Sequence, residues 1–81
     1  MASIETEVNK IISDIVNMVL PDYNTTLSTL GFNDAMCTKL AGRLDSFVNE
    51  KHPTATVNNN EITADLTIRN VMDLVTKKIE S

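Results

Sequence analysis

The sequence predicts an all-α protein, a bundle of three main helices with one additional short helix. Three segments, near residues 4–20, 34–50 and 67–80, place apolar residues three and four positions apart, which gives a helix one apolar face. Proline and polar runs separate these segments, and no stretch alternates apolar and polar residues as a half-buried strand does. At 81 residues the chain forms a single domain, 1–81, with one modest core.

The first main helix is predicted from Ile4 to Leu20. Ser3 is a suitable N-cap, and Glu5 and Glu7 complement the positive end of the helix dipole. Pro21 is expected to set the end of the helix, because its ring nitrogen cannot donate a hydrogen bond and the preceding residue avoids the α region. The apolar face consists of Ile4, Val8, Ile11, Ile12, Ile15, Val16 and Val19.

A long polar connection, residues 21–32, follows the first helix. Its apolar residues are the expected anchors that hold the loop against the bundle, partly buried: Leu27, Leu30 and Phe32. The second main helix is predicted from Asp34 to Glu50, with Asn33 and Asp34 both available as N-caps. Gly42 weakens this helix by roughly 1 kcal/mol relative to alanine, and His52-Pro53 ends it.

The last part of the chain begins as a polar loop, residues 53–61, and predicts a short helix near Ile62. Thr67 is a suitable N-cap for the third main helix, predicted from Thr67 to Glu80. Met18, Met36 and Cys37 are expected to fill the core. The core itself is predicted to include Ile12, Ile15, Val16, Leu40, Leu44, Val71, Met72 and Val75.

Composition excludes several classes of function. The net charge is −4, and the seven lysine and arginine residues are scattered, so nucleic acid is not an expected partner. No apolar run is long enough to cross a bilayer and the start does not resemble a signal peptide, so we expect a cytoplasmic protein that does not bind membranes. One cysteine and one histidine cannot form a structural zinc site, and His52 has no nearby nucleophile, so neither a metal nor an enzymatic activity is expected. We expect a monomer.

Two segments resemble one family. "TLSTLGFNDAMCTKLAGRL" from Thr26 is similar to the segment x-L-x-x-L-G-x-D-S-L-x-x-x-x-L-x-x-x-L of acyl carrier and peptidyl carrier proteins, which serve fatty-acid, polyketide and nonribosomal peptide synthesis. "LTIRNVMDLV" from Leu66 resembles the threonine-capped final helix of modular carrier domains. The order of elements, with a long first loop and a short third helix, also matches. The residues in register are Leu27, Leu30, Gly31, Leu40 and Leu44.

The resemblance breaks where the family has Asp-Ser-Leu, because this chain has Asn33-Asp34-Ala35. The family's serine receives 4'-phosphopantetheine, whereas a carboxylate at Asp34 has no hydroxyl to modify, so no cofactor is expected. The resemblance then implies a degenerate carrier domain that binds a protein partner, a synthase or synthetase domain of an assembly line. Such partners dock on the second helix and the loop before it, which here present Phe32, Asn33, Asp34, Ala35, Lys39 and Arg43.

Two alternatives remain open at this point. The chain could be a working carrier modified at another residue, Ser28 in the long loop or Ser46 within the second helix. The charge of Asp34 also has two interpretations. It could stabilise the helix start by about 0.5 to 2 kcal/mol, or it could mimic the phosphate that family members carry at this helix end.

Overall fold

The computed structural model describes residues 3–80, and three α-helices account for most of this range. They are α1 (Ile4–Val16), α2 (Asp34–Lys51) and α3 (Ile68–Glu80), with a 3₁₀ turn at Asn59–Glu61 between α2 and α3. Each α-helix packs against the other two, and the 3₁₀ turn packs against α2. The prediction of an all-α bundle is confirmed, and residues 3–80 contain no β-strand. The short helix expected near Ile62 is the 3₁₀ turn Asn59–Glu61, which lies in the segment predicted as a loop, and residues 62–66 are not helical.

The end of α1 differs from the prediction, because the helix stops at Val16 and not at Leu20. Asn17 adopts the left-handed conformation with φ of 55°, and its backbone N–H donates to the carbonyl of Ser13. Asparagine tolerates this conformation better than most residues and commonly ends helices in this way. The helix therefore ends before Pro21 can influence it.

Four apolar residues near the end of α1 are less buried than predicted. Ile15 and Val16 were expected in the core but are only partly buried. Met18 was expected as core filling and Val19 on the buried face of the helix, yet their side chains are 46% and 93% exposed. Both residues follow the left-handed turn, so they no longer continue the apolar face of α1.

The remaining core agrees with the prediction. The apolar faces of the three helices meet in one cluster, which also contains Cys37 from α2 and Val57 and Ile62 from the second loop. The predicted core residues that are fully or almost fully buried are Ile12, Leu40, Leu44, Val71, Met72 and Val75.

The first loop is held against the start of α3 by backbone hydrogen bonds. The N–H groups of Leu27 and Ser28 donate to the carbonyls of Leu66 and Ala64 at 2.8 Å each, and an isolated antiparallel bridge joins Thr26 to Thr67. Leu27 is completely buried, Phe32 is 6% exposed and Leu30 is partly buried. The predicted anchoring of the loop is confirmed, although the sequence did not predict its pairing with α3.

The second loop, residues 52–67, is held to the helices by polar side chains. The Asp45 carboxylate of α2 accepts a hydrogen bond from the backbone N–H of Val57 at 2.8 Å. Asn49, one turn further along α2, donates its side-chain amide to the carbonyl of Ala55 at 2.6 Å. The loop is thereby fixed along α2, which places the 3₁₀ turn beside the N-terminal end of that helix.

Candidate functional site

The candidate site is the N-terminal end of α2, where the family resemblance places the attachment serine. The chain reaches it through Gly31, whose φ of 96° favours glycine, and through the buried ring of Phe32. Asn33 then adopts an extended conformation, and its side-chain oxygen accepts the backbone N–H of Met36 at 2.9 Å. Asn33 is therefore the N-cap of α2, and Asp34 is its first residue.

Asp34 is exposed, and no hydrogen bond or ion pair joins its side chain to another residue in the range 3–80. Its carboxylate lies at the N-terminal end of α2, where the helix dipole is positive. The pKa of the Cys37 thiol is raised above its ordinary value. Burial of the thiol is the larger cause, and the negative charge of the nearby Asp34 carboxylate is the smaller one. A neutral, buried thiol is a poor nucleophile, so Cys37 belongs to the packing of the site.

A groove of about 360 Å³ opens beside Asp34. One wall is the first turn of α2 with Cys37 and Thr38, and the other is formed by the second loop, where Ala64 is partly buried and Ile62 is only 2% exposed. The sequence predicted Asp34 as a site residue but did not predict this second wall. The complete lining is Asp34, Cys37, Thr38, Asn59, Asn60, Ile62, Thr63 and Ala64.

The other residues predicted to bind a partner differ in exposure: those on α2 are exposed, and Phe32 is buried. Ala35, Lys39 and Arg43 are exposed along α2, and Asn33 and Asp34 are exposed at its N-terminal end. Phe32 differs, because its ring is 6% exposed and packs in the core, where it can support this surface only from beneath. Arg43 forms an ion pair of 3.6 Å with Asp14 of α1. Lys39 forms no ion pair with any residue that the structure describes.

The two serines considered as alternative attachment sites lie in different surroundings. Ser28 is exposed in the first loop, and its hydroxyl lies 3.1 Å from that of Thr26. Ser46 is exposed on α2 and donates its hydroxyl to the carbonyl of Gly42 at 3.2 Å. The helix rise places Ser46 about 18 Å along the axis from Asp34, so it is not at a helix start.

The described part of the chain contains no group of three histidine, cysteine, aspartate or glutamate residues that could hold a metal ion. None of the helices within residues 3–80 combines the length and the apolar character needed to cross a bilayer. The start of α2 presents an exposed carboxylate beside a partly apolar groove.

Comparisons of this chain with models of known protein families, with curated proteins and with solved structures found no match.

Proposed function

We propose that this chain is a carrier-type domain without an attachment residue, which binds a protein partner in or beside an assembly line for polyketides, nonribosomal peptides or fatty acids. The observation that carries the proposal is the position of Asp34. It is the exposed first residue of α2 and follows a side-chain cap, in the place where the resemblance puts the modified serine. The carboxylate has no hydroxyl to accept a phosphopantetheine arm, so the remaining role of the surface is recognition.

The surface proposed for docking consists of Asn33, Asp34, Ala35, Lys39 and Arg43. These residues are exposed on a helix whose opposite face is buried, so a partner can reach them without disturbing the core. Their charges are mixed, which favours a partner with both acidic and basic groups over a uniformly basic one. A cytoplasmic location and a monomeric state belong to the same proposal.

Mass spectrometry on an engineered variant tests this proposal. Asp34→Ser restores the family's attachment residue while Asn33 keeps capping the helix, so the fold should lose only the dipole interaction, about 0.3 to 1 kcal/mol. We expect a promiscuous phosphopantetheinyl transferase with coenzyme A to add one phosphopantetheine group to Asp34→Ser and none to the natural chain. Modification of the natural chain would favour the alternative of a working carrier attached at Ser28 or Ser46.

A charge reversal then tests whether α2 is the recognised surface. Lys39→Glu in the Asp34→Ser background should slow modification by about tenfold, because it replaces a positive charge on the proposed docking helix with a negative one. Lys77→Glu on α3 is the matched control, since it makes the same charge reversal at an exposed position on another helix. Equal slowing by both variants would contradict α2 as the docking helix. An unmodified Asp34→Ser variant with an intact NMR spectrum would contradict a retained carrier surface.

A further inference from the structure

Helix α1 is shorter than its own sequence favours. Val19 lies three and four positions after Val16 and Ile15, so a continued helix would place it on the same apolar face. Residues 17–19 contain neither glycine nor proline, the two residue types that most disfavour a helix. The helix nevertheless ends at Val16, and Val19 is left 93% exposed. Contacts beyond the helix therefore help to set where α1 ends.

The contacts that draw the chain back from α1 are made by Tyr23. Its hydroxyl accepts a hydrogen bond of 2.9 Å from the side-chain amide of Asn9, which lies about two turns before Val16. Its carbonyl accepts the backbone N–H of Arg69 at 2.8 Å, and the Arg69 guanidinium lies 5.6 Å from the centre of its ring. Tyr23 is thereby fixed to both α1 and the start of α3. The chain that leaves Val16 must reverse and return to Tyr23 through residues 17–22.

The distances along the chain set a longer helix against these contacts. A helical Val19 would lie about 15 Å along the axis from Asn9. Only residues 20–22 would then remain before Tyr23, and the four chain steps from Val19 to Tyr23 span at most about 14 Å. The hydrogen bond to Asn9 could be kept only if this connection were almost fully extended. A longer α1 and the bond between Asn9 and Tyr23 therefore oppose each other.

We propose that residues 17–19 form a conformational switch controlled by the hydrogen bond between Asn9 and Tyr23. While this bond is made, α1 ends at Val16 and the side chain of Val19 is exposed to solvent. When the bond is broken, α1 lengthens through Val19 and places that side chain on its apolar face. The switch lies where α1 meets the first loop and is independent of the docking surface proposed on α2.

The residues around the end of α1 are compatible with the longer form. Ile15 and Val16 are only partly buried, so they offer apolar surface on which Val19 can pack. Leu20 stands before Pro21 and therefore avoids the α region, which makes Val19 the last residue that the helix can gain.

Asn17 provides a means to bias the switch in either direction. In the shorter form its φ is 55°, in the left-handed region that glycine adopts readily, asparagine tolerates and alanine disfavours. In the longer form the same residue is helical, and there alanine is the most favourable residue and glycine one of the least. Asn17→Ala therefore favours the longer form, and Asn17→Gly favours the shorter one.

NMR spectroscopy of variants of the full chain tests this switch. Tyr23→Phe removes the hydroxyl that accepts from Asn9 and keeps the aromatic ring. When it is combined with Asn17→Ala, we expect the ¹³Cα shifts of residues 17–19 to move at least about halfway from their values in the natural chain to helical values. Tyr23→Phe combined with Asn17→Gly is the matched control, and it should keep the shifts of the natural chain.

Three results would overturn the switch. The first is unchanged shifts at residues 17–19 in the variant with Asn17→Ala and Tyr23→Phe, and the second is an equal helical shift in the variant with Asn17→Gly. The third is a helical shift produced by Asn17→Ala alone to which Tyr23→Phe adds nothing. Amide signals from the rest of the chain show whether each variant is folded. If a double variant does not fold, the two single variants are compared instead, and the absence of a helical shift in both overturns the switch.

Discussion

Two adjacent residues at the start of α2 have different tasks, although the sequence offers both as N-caps. Asn33 makes the capping hydrogen bond to the backbone N–H of Met36, whereas the Asp34 side chain makes no hydrogen bond within the described residues. The stability of the helix start therefore depends on Asn33 and much less on Asp34. This division leaves the carboxylate free for contacts outside the domain.

The two glycines provide a prediction at the same scale. Gly42 lies within α2, and a Cβ atom added there would meet no atom within 4 Å. Gly42→Ala should therefore raise the free energy of unfolding by about 0.5 to 1 kcal/mol, because alanine has the higher helix propensity and a less flexible unfolded state. Urea denaturation followed by circular dichroism measures this change.

Gly31→Ala is the matched control, since it adds the same methyl group where the backbone has φ of 96°. Space is available there too, so a loss of stability would come from the backbone conformation alone. We expect Gly31→Ala to destabilise the domain. Destabilisation by Gly42→Ala would instead contradict the open surroundings of that position.

At the level of elements, the link between the 3₁₀ turn and α3 depends on one carboxylate. Glu61 accepts the backbone N–H of Asn58 at 3.0 Å and forms an ion pair of 3.0 Å with Lys78. The hydrogen bond from Asn58, followed by that from Lys78, lowers the pKa of Glu61. The charged form of Glu61 thus contributes to the folded state, and this contribution depends on pH.

Because the pKa of Glu61 is lowered in the folded state, Glu61 stabilises the fold more at neutral pH than in acid. The contribution is fully present above the ordinary glutamate pKa near 4.5 and is lost as the pH falls through the lower folded value. The natural chain should therefore be more stable than Glu61→Gln at pH 7, and the difference should shrink progressively below pH 4.5. Denaturation of both proteins over this range measures it. A difference that grows in acid would mean that the carboxylate is not the stabilising form.

For the whole molecule, stability depends on a single core to which all three helices contribute. Leu44 is completely buried at the centre of α2, within the cluster that joins α1 and α3. Leu44→Ala should cost about 2 to 5 kcal/mol, a large part of the stability of so small a domain. Val19→Ser, at a position 93% exposed, should change the free energy of unfolding by less than about 0.5 kcal/mol. A small effect of Leu44→Ala would contradict the observed orientation of α2.

The helices and most of the core were predictable because helical periodicity is a local property of the sequence. The end of α1 was predicted wrongly. The helix ends where Asn17 adopts the left-handed conformation, whereas the prediction used Pro21, which is the stronger helix-ending signal in the sequence. The bridge between Thr26 and Thr67 has no local pattern, because each strand-like segment is too short to show alternation. Asp34 was predicted as a site residue, but the groove beside it joins distant segments and could be seen only in the folded chain.

The bridge between Thr26 and Thr67 has a consequence for how the protein is made. The amides of Leu27 and Ser28 bond to carbonyls at Leu66 and Ala64, so a nascent chain that has exposed only α1 and α2 cannot complete its first loop. Closing a contact over so many residues carries an entropic cost that local helix formation does not. We expect the loop to remain open to proteases on the ribosome until the start of α3 has emerged, and to become protected in a single late step.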